Sequence, residues 1–363
     1  MEERIKVLMI GPDRGVHGGI SGVVNNYYEA GITEKIDLTY IGTMVEGSKL
    51  RKLWQAFRAY VQFLHKLPQY PIVHVNMASD SSYYRKSFFI KAAKRAGKKI
   101  VIHQHGGDFE TFYEKEQNDR GREKIRKVLN MADVFLVLAP AWKTLFQRIL
   151  PEKQIIVFPD TIRIPENYEK EYGQQRILFL GRLCKAKGIE ELIQSMVELH
   201  PEFPSAKLLL GGIWEDTELQ GLAQQYPEFI TELGWITGEA KQDYLKMCDI
   251  FALPSYFEGQ SIAILEAMAH YCGIAASDTG GIPMMITNEQ TGLLTAPQNK
   301  EELKNALKRL LESPGLCEKL GENARRKAEE EFSIDGSIQK LAEIYRDLSS
   351  CTDITNQKAA LKK

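Results

Sequence analysis

Short runs of β-branched and apolar residues alternate with amphipathic helical segments along nearly the whole chain. In the first half the strand-like runs are Arg4–Ile10, Asp37–Ile41, Ile72–Asn76, Lys99–His103, Val134–Leu138 and Ile155–Phe158. Helical patterns fill the gaps over Ile20–Ala30, Leu50–Leu67, Tyr83–Arg95, Gly121–Asn130 and Ala141–Ile149. The second half repeats the rhythm with strands at Arg176–Leu180, Ala206–Leu210, Ile250–Leu253 and Ile274–Ala276, and helices starting near Gly188, Ser261 and Asn299. Parallel strands need long crossovers, and helices laid on both faces of a sheet let its strands be apolar throughout. The pattern therefore predicts an α/β chain with doubly wound parallel sheets. With 363 residues, 44% of them hydrophobic, there is material for two cores. Pro159, Pro165 and Gly173 among charged residues mark the boundary. We expect domains over 1–160 and 176–332, a linker over 161–175, a helix over 333–348 packing back toward the first domain, and a polar tail over 349–363.

The N-terminus opens directly into a strand-like run, without the basic, apolar and small-residue regions of a signal peptide. The five cysteines are scattered, and none forms a Cys-x-x-Cys pair. Both points suit a reducing cytoplasm and argue against a disulfide framework or a zinc site. Residues 1–165 carry 26 Lys+Arg against 17 Asp+Glu, whereas the remainder carries 21 against 31. The halves thus face different partners, or one faces an anionic surface. No nucleic-acid partner is expected.

Three stretches carry chemistry in the second half. Gly181-Arg182-Leu183-Cys184-Lys185-Ala186-Lys187-Gly188 follows a strand and opens a helix. Loop amides, a helix N-terminus, Arg182 and Lys187 together suit a phosphate. Pro254 to Glu266 again runs from strand to loop to helix. There Gly259 allows close backbone approach, and Ser261 is a natural N-cap. Glu266 falls on the stripe of Ile262, Leu265, Ala269 and Cys272, where a carboxylate is costly unless satisfied. A ribose diol would satisfy it, and so would a salt bridge. Ser277-Asp278-Thr279-Gly280-Gly281-Ile282-Pro283 makes a third glycine-rich turn after a strand. Loops at the C-terminal ends of neighbouring parallel strands share one crevice, the usual ligand position in such sheets. In the first half, Gly18-Gly19 lies in a glycine-rich turn without the G-x-G-x-x-G spacing of dinucleotide sites, and His103-Gln104-His105-Gly106 ends a strand. His103 and His105 are expected to point to opposite faces with no clear third ligand, and the chain has no Asp-x-Asp. No catalytic metal and no cofactor are expected.

These residues resemble the retaining glycosyltransferases of the GT-B fold, specifically glycosyltransferase family four. The likeness covers nearly the whole chain and is strongest over Arg176–Leu294. Its most specific element is the spacing Glu258-x7-Glu266, with Gly181-Arg182, Lys187-Gly188, Gly280-Gly281-Ile282-Pro283 and Thr291-Gly292-Leu293-Leu294 in the family's order. The resemblance implies two Rossmann-like domains facing each other across a cleft, with a nucleotide-sugar donor held mainly by the second. It implies that Arg182 and Lys187 bind the donor diphosphate. Glu258 would contact the sugar, helped by Gly259 and the amides of Gln260, Ser261 and Ile262. Glu266 would hold the ribose, His105 would lie at the reaction centre, and Gly19 would let its loop approach the donor. Gly234, Trp235 and Ile236 would lie beside the base. Met284, Tyr271 and Gly273 depart from the family pattern. The donor nucleotide is taken as UDP because UDP is common.

The acceptor is read from charge. Lys49, Arg51, Lys52, Arg58 and Lys66 stand among Leu50, Leu53, Trp54, Phe57, Tyr60, Val61 and Leu64. Arg85, Lys86, Lys91, Lys94, Arg95, Lys98 and Lys99 surround Phe88 and Phe89. Basic amphipathic stretches dock on anionic membranes, and equally serve as ordinary domain helices packed on a sheet. The first reading gives a peripheral enzyme with a glycan or lipid-linked glycan acceptor, as in bacterial surface-polysaccharide assembly. Two alternatives are a non-catalytic GT-B binding protein and a Rossmann-type oxidoreductase. The second lacks its dinucleotide fingerprint.

Overall fold

The structure, a computed structural model, describes residues 4–106 and 109–360, with side chains described up to residue 350. Gly107, Asp108 and the last three positions of the polar tail lie outside the described residues. The chain divides into two compact units. One runs to Arg163 and regains the chain from Ile334 onward, and the other is Ile164–Ser333.

The first unit holds a six-stranded sheet of β1 (Lys6–Gly11), β2 (Asp37–Gly42), β3 (Ile72–Met77), β4 (Lys99–Gln104), β5 (Val134–Val137) and β6 (Ile155–Val157). The order is β2-β1-β3-β4-β5-β6, and every pairing is parallel. Both faces are covered, so β3 is buried at every position, His74 and Asn76 included. The second unit contains β7 (Arg176–Leu180), β8 (Lys207–Gly211), β9 (Ile230–Gly234), β10 (Ile250–Leu253), β11 (Gly273–Ser277) and β12 (Leu293–Thr295). Its order is β12-β11-β10-β7-β8-β9, also all parallel. Two Rossmann-like units are therefore present, with different switch points. Strand order reverses between β1 and β3 in the first and between β7 and β10 in the second, and ligands bind outside such reversals.

Edge strands β9 and β12 escape the sequence reading. β9 is Ile-Thr-Glu-Leu-Gly with Thr231 and Glu232 exposed, and β12 is three residues long. Neither needs the continuous apolar run of a central strand. The stretch expected as a linker is fastened to the second unit. Lys170 Nζ donates to Leu245 O at 2.9 Å and His270 O at 2.7 Å, and the Tyr172 hydroxyl donates to Tyr271 O at 2.8 Å. The last helix spans Ile334–Ala360 without a break at 348. Its buried Ile338, Leu341 and Tyr345 belong to the first unit, where the Tyr345 hydroxyl meets His74 Nδ1 at 2.7 Å.

Candidate active site

The loops singled out in the second half leave the ends of β7, β10 and β11, which are neighbours in the sheet. Their backbones are locked together. Tyr256 N donates to Ala186 O at 3.0 Å, and Gly281 N donates to Glu258 O at 3.0 Å. Gly188 has φ +69°, and a Cβ there would stand 2.1 Å from Pro254 O. Glycine is required where carbonyl and backbone approach this closely.

Lys187 and Glu258 meet in this cluster. Lys187 closes the short turn Lys185–Lys187, and its ammonium pairs with Glu258 Oε1. The same oxygen accepts the Ser255 hydroxyl at 2.8 Å. Both side chains are largely shielded, so the pair is held in reduced dielectric. Ser261 caps the helix Ile262–Ala269, its hydroxyl accepting from Ile264 N at 3.3 Å. Gln260 and Ser261 are buried, and Gly259 and Ile262 are half-buried.

Glu266 and Arg182 have other partners. The helix Ile262–Ala269 buries Ile264, Leu265, Ala267, Met268 and Ala269, with Ile262, Ala263 and Glu266 half-buried at the margin. Glu266 is satisfied by the ammonium of Lys241, from the helix Gly238–Met247. A salt bridge, one of the two options open for this carboxylate, is thus made. Lys241 lies 25 positions away, and nothing in the local sequence announces it. Arg182 is half-exposed and donates to Glu215 Oε2 at 3.0 Å. Gly234, at φ +66°, accepts from Gly212 N at 2.8 Å, while Trp235 is exposed and Ile236 half-buried beside Gly211.

In the first unit Gly19 begins the helix Gly19–Glu29, and a Cβ there would meet nothing within 4 Å. No protein neighbour therefore demands glycine at this position. His105 is buried just beyond β4. Its Nε2 meets Asn76 Oδ1 at 2.9 Å, and its Nδ1 lies 3.1 Å from Asp160 Oδ1.

The expected divergence of His103 and His105 is overturned. Residues two apart in a strand share a face, and the two rings stand 3.9 Å apart. Asp160 supplies a third group, so donor atoms of His103, His105 and Asp160 all lie within 4.8 Å of one another. These three residues could hold a metal, and a proton shared between His105 Nδ1 and Asp160 accounts for the 3.1 Å contact equally. Burial drives the titrations. It lowers His74 and His105 to about 3 and pushes His103 well below 6.5, while it raises Asp160 to about 7.

A pH dependence follows. The three imidazoles are neutral when folded but protonate below about 6.5 once unfolded. Their stabilisation is present above pH 6.5 and is lost as pH falls toward 3. Asp160 acts oppositely, because its raised value favours the fold at low pH and that contribution fades as pH rises through 7. Three groups outweigh one, so the unfolding midpoint is expected to fall on acidification from pH 6.5. Asp160→Asn should steepen the fall; a shallower profile in thermal scans across pH would contradict this account.

Three positions outside the family pattern have local explanations or none. A Cβ on Gly273 would stand 2.3 Å from Cys317 Sγ. Tyr271 has φ +59° at the end of the helix, beneath the Arg325 guanidinium at 5.0 Å. Nothing in the structure explains Met284.

The family model described as Glycosyl transferases group 1 matches residues 160–327. An uncharacterized glycosyltransferase of Methanocaldococcus jannaschii is 30% identical over 187 residues, covering 50% of this chain and 48% of that relative. Alpha-D-kanosaminyltransferase of Streptomyces kanamyceticus is 28% identical over 175 residues, 47% of this chain and 45% of the relative. The alignments thus span about half the length of these curated relatives. Among solved structures, sucrose-phosphate synthase from Thermosynechococcus elongatus superposes with a TM-score of 0.78 at 22% identity, covering 96% of this chain and all of that one. HepE of Anabaena, solved with UDP and glucose, superposes with a TM-score of 0.74 at 17% identity, covering 95% and 100%. Sheet order, loop positions and these likenesses agree: the chain has the GT-B fold, and its residues 160–327 match the glycosyl transferases group 1 model.

Proposed function

We propose that this protein is a retaining, metal-independent glycosyltransferase that moves a sugar from a UDP-sugar to a hydroxyl of a glycan or lipid-linked glycan on the cytoplasmic side of a membrane. The observation that carries the reading is the Lys187–Glu258 pair at the β7/β10 switch point, on loops whose backbones interlock. A fixed ammonium in a shielded site stabilises charge that develops on a leaving diphosphate. Lys187 and Arg182 take that role. Glu258 accepts sugar hydroxyls, the amides of Gln260 to Ile262 point to the same end of the donor, and Glu266 takes the ribose diol. Gly234 to Ile236 flank the base. HepE of Anabaena is solved with UDP and UDP-glucose, which supports uridine as the nucleoside.

Retention follows from front-face transfer. The acceptor oxygen bonds to the anomeric carbon on the face from which the phosphate oxygen departs. The leaving diphosphate takes the acceptor proton, and nucleoside diphosphate is released.

Thermal shift across UDP-, GDP- and ADP-sugars tests the donor. A ligand at a hundredfold its Kd stabilises by about 2.7 kcal/mol, so the UDP-sugar arm should raise Tm by several degrees. Transfer should survive EDTA. No shift with any nucleotide sugar would remove the donor site. EDTA-sensitive transfer would instead direct attention to His103, His105 and Asp160.

A further inference from the structure

We propose that the helix Lys49–Lys66 is a docking element that lies in the plane of an anionic lipid surface, with Leu50, Leu53, Trp54, Phe57, Val61 and Leu64 entering it. At 3.6 residues per turn these six positions form one narrow stripe. All are exposed, from 80% at Leu50 to 44% at Leu64. A surface helix ordinarily turns its apolar stripe inward. Here the opposite face does the packing: Ala59 and Phe63 are buried, and Phe63 and Tyr60 meet Phe89 edge-on at 5.0 and 5.2 Å. The helix is therefore already anchored to its unit, and the outer stripe is surplus to that anchoring. An apolar stripe of this length left in water marks an interaction surface.

Charge selects the occupant. The helix carries Lys49, Arg51, Lys52, Arg58 and Lys66 and no acidic residue. Arg51, Arg58 and His65 recur every seventh residue along one border of the stripe. Lys49, Arg51 and Arg58 flank the stripe, so two copies paired through this face would set three cations against three, which disfavours self-association. A bilayer with anionic headgroups accepts a convex, one-helix stripe bordered by cations and needs no matching groove. Among the described residues no helix is long and apolar enough to cross a membrane, so the contact would be interfacial.

The basic stretch 85–99 plays a lesser part than its sequence suggests. Lys86 is fully buried, its ammonium donating to Asn76 O at 3.1 Å, and Phe89 is buried beneath the helix Lys49–Lys66. Within that segment only Phe88 is a large apolar side chain left exposed, with Tyr84 just before it.

This surface is independent of the transferase reading, and its test measures no catalysis. The full-length protein is floated with vesicles of phosphatidylcholine alone and with about one-third phosphatidylglycerol. Binding is expected only to the anionic vesicles and should weaken with added salt. Trp54→Glu/Phe57→Glu and, separately, Arg51→Glu/Arg58→Glu should each lower binding at least tenfold with Tm unchanged, since all four side chains are exposed. Three results overturn the proposal: no vesicle binding, binding indifferent to both variants, or a dimer in light scattering that the Trp54/Phe57 variant dissolves while vesicles go unbound.

Discussion

Lys187→Ala is expected to lower kcat/KM for transfer by about a thousandfold, mostly in kcat. The ammonium is held by Glu258, and Glu258 by the Ser255 hydroxyl, so its position is set before any donor arrives. A preorganised cation costs no reorganisation as the diphosphate departs, which is why its loss falls on the transition state more than on binding. The structural cost is smaller. Glu258 keeps its hydrogen bond from Ser255, and leaving it without the lysine costs about 1–3 kcal/mol. The variant should therefore remain folded by circular dichroism while single-turnover transfer collapses. Lys187→Arg keeps the charge in a longer, planar group and should recover part of the rate. Arg182 is half-exposed and shared with Glu215, so Arg182→Ala should cost only about tenfold. Transfer by a folded Lys187→Ala protein within tenfold of the parent would show that the ammonium is structural and that the leaving group is stabilised elsewhere.

Gly188→Ala is expected to destabilise the protein by about 3 kcal/mol and to abolish donor binding. The residue sits at φ +69°, where a Cβ costs about 1–2 kcal/mol. The added atom would also stand 2.1 Å from Pro254 O, a backbone oxygen that cannot rotate away. Relieving that overlap moves the loop after β7 away from the loop after β10, a distortion of about 1–3 kcal/mol. Lys187 is the adjacent residue, so its pairing with Glu258 would be displaced as well. Gly221→Ala is the control: its Cβ would meet nothing within 4 Å in the helix Thr217–Ala223. That change should be neutral or stabilise by up to about 1 kcal/mol. Urea unfolding gives both values, and calorimetry with the donor reads binding. A Gly188→Ala protein that kept the parent's stability and donor affinity would mean that the interlocked loops are not needed.

Some of the molecule was legible in the residues. Central strands such as β3 and β10 are buried on both faces, so their apolar runs must be nearly continuous and stand out. The helices after Gly188 and Ser261 were marked by local chemistry, a glycine closing the basic loop and a serine cap. The edge strand β9 was not legible, because Thr231 and Glu232 face water and polar residues break the run. The stripe on Lys49–Lys66 was visible as an amphipathic pattern, but periodicity says nothing about which way the apolar side turns.

Pairings across the sheet were the least legible. Asp160 beside His105, Lys241 beside Glu266 and Glu215 beside Arg182 join residues 25 to 55 positions apart. Local rules of capping, turn geometry and periodicity reach only a few residues along the chain, and that range is what the amino-acid order settled here: strand or helix, apolar or polar face, glycine where backbones must touch. Strand order placed the loops after β7, β10 and β11 side by side, and packing chose each carboxylate's partner and left one apolar stripe in water. Those outcomes depend on the free energy of the assembled chain, which no short window of residues contains.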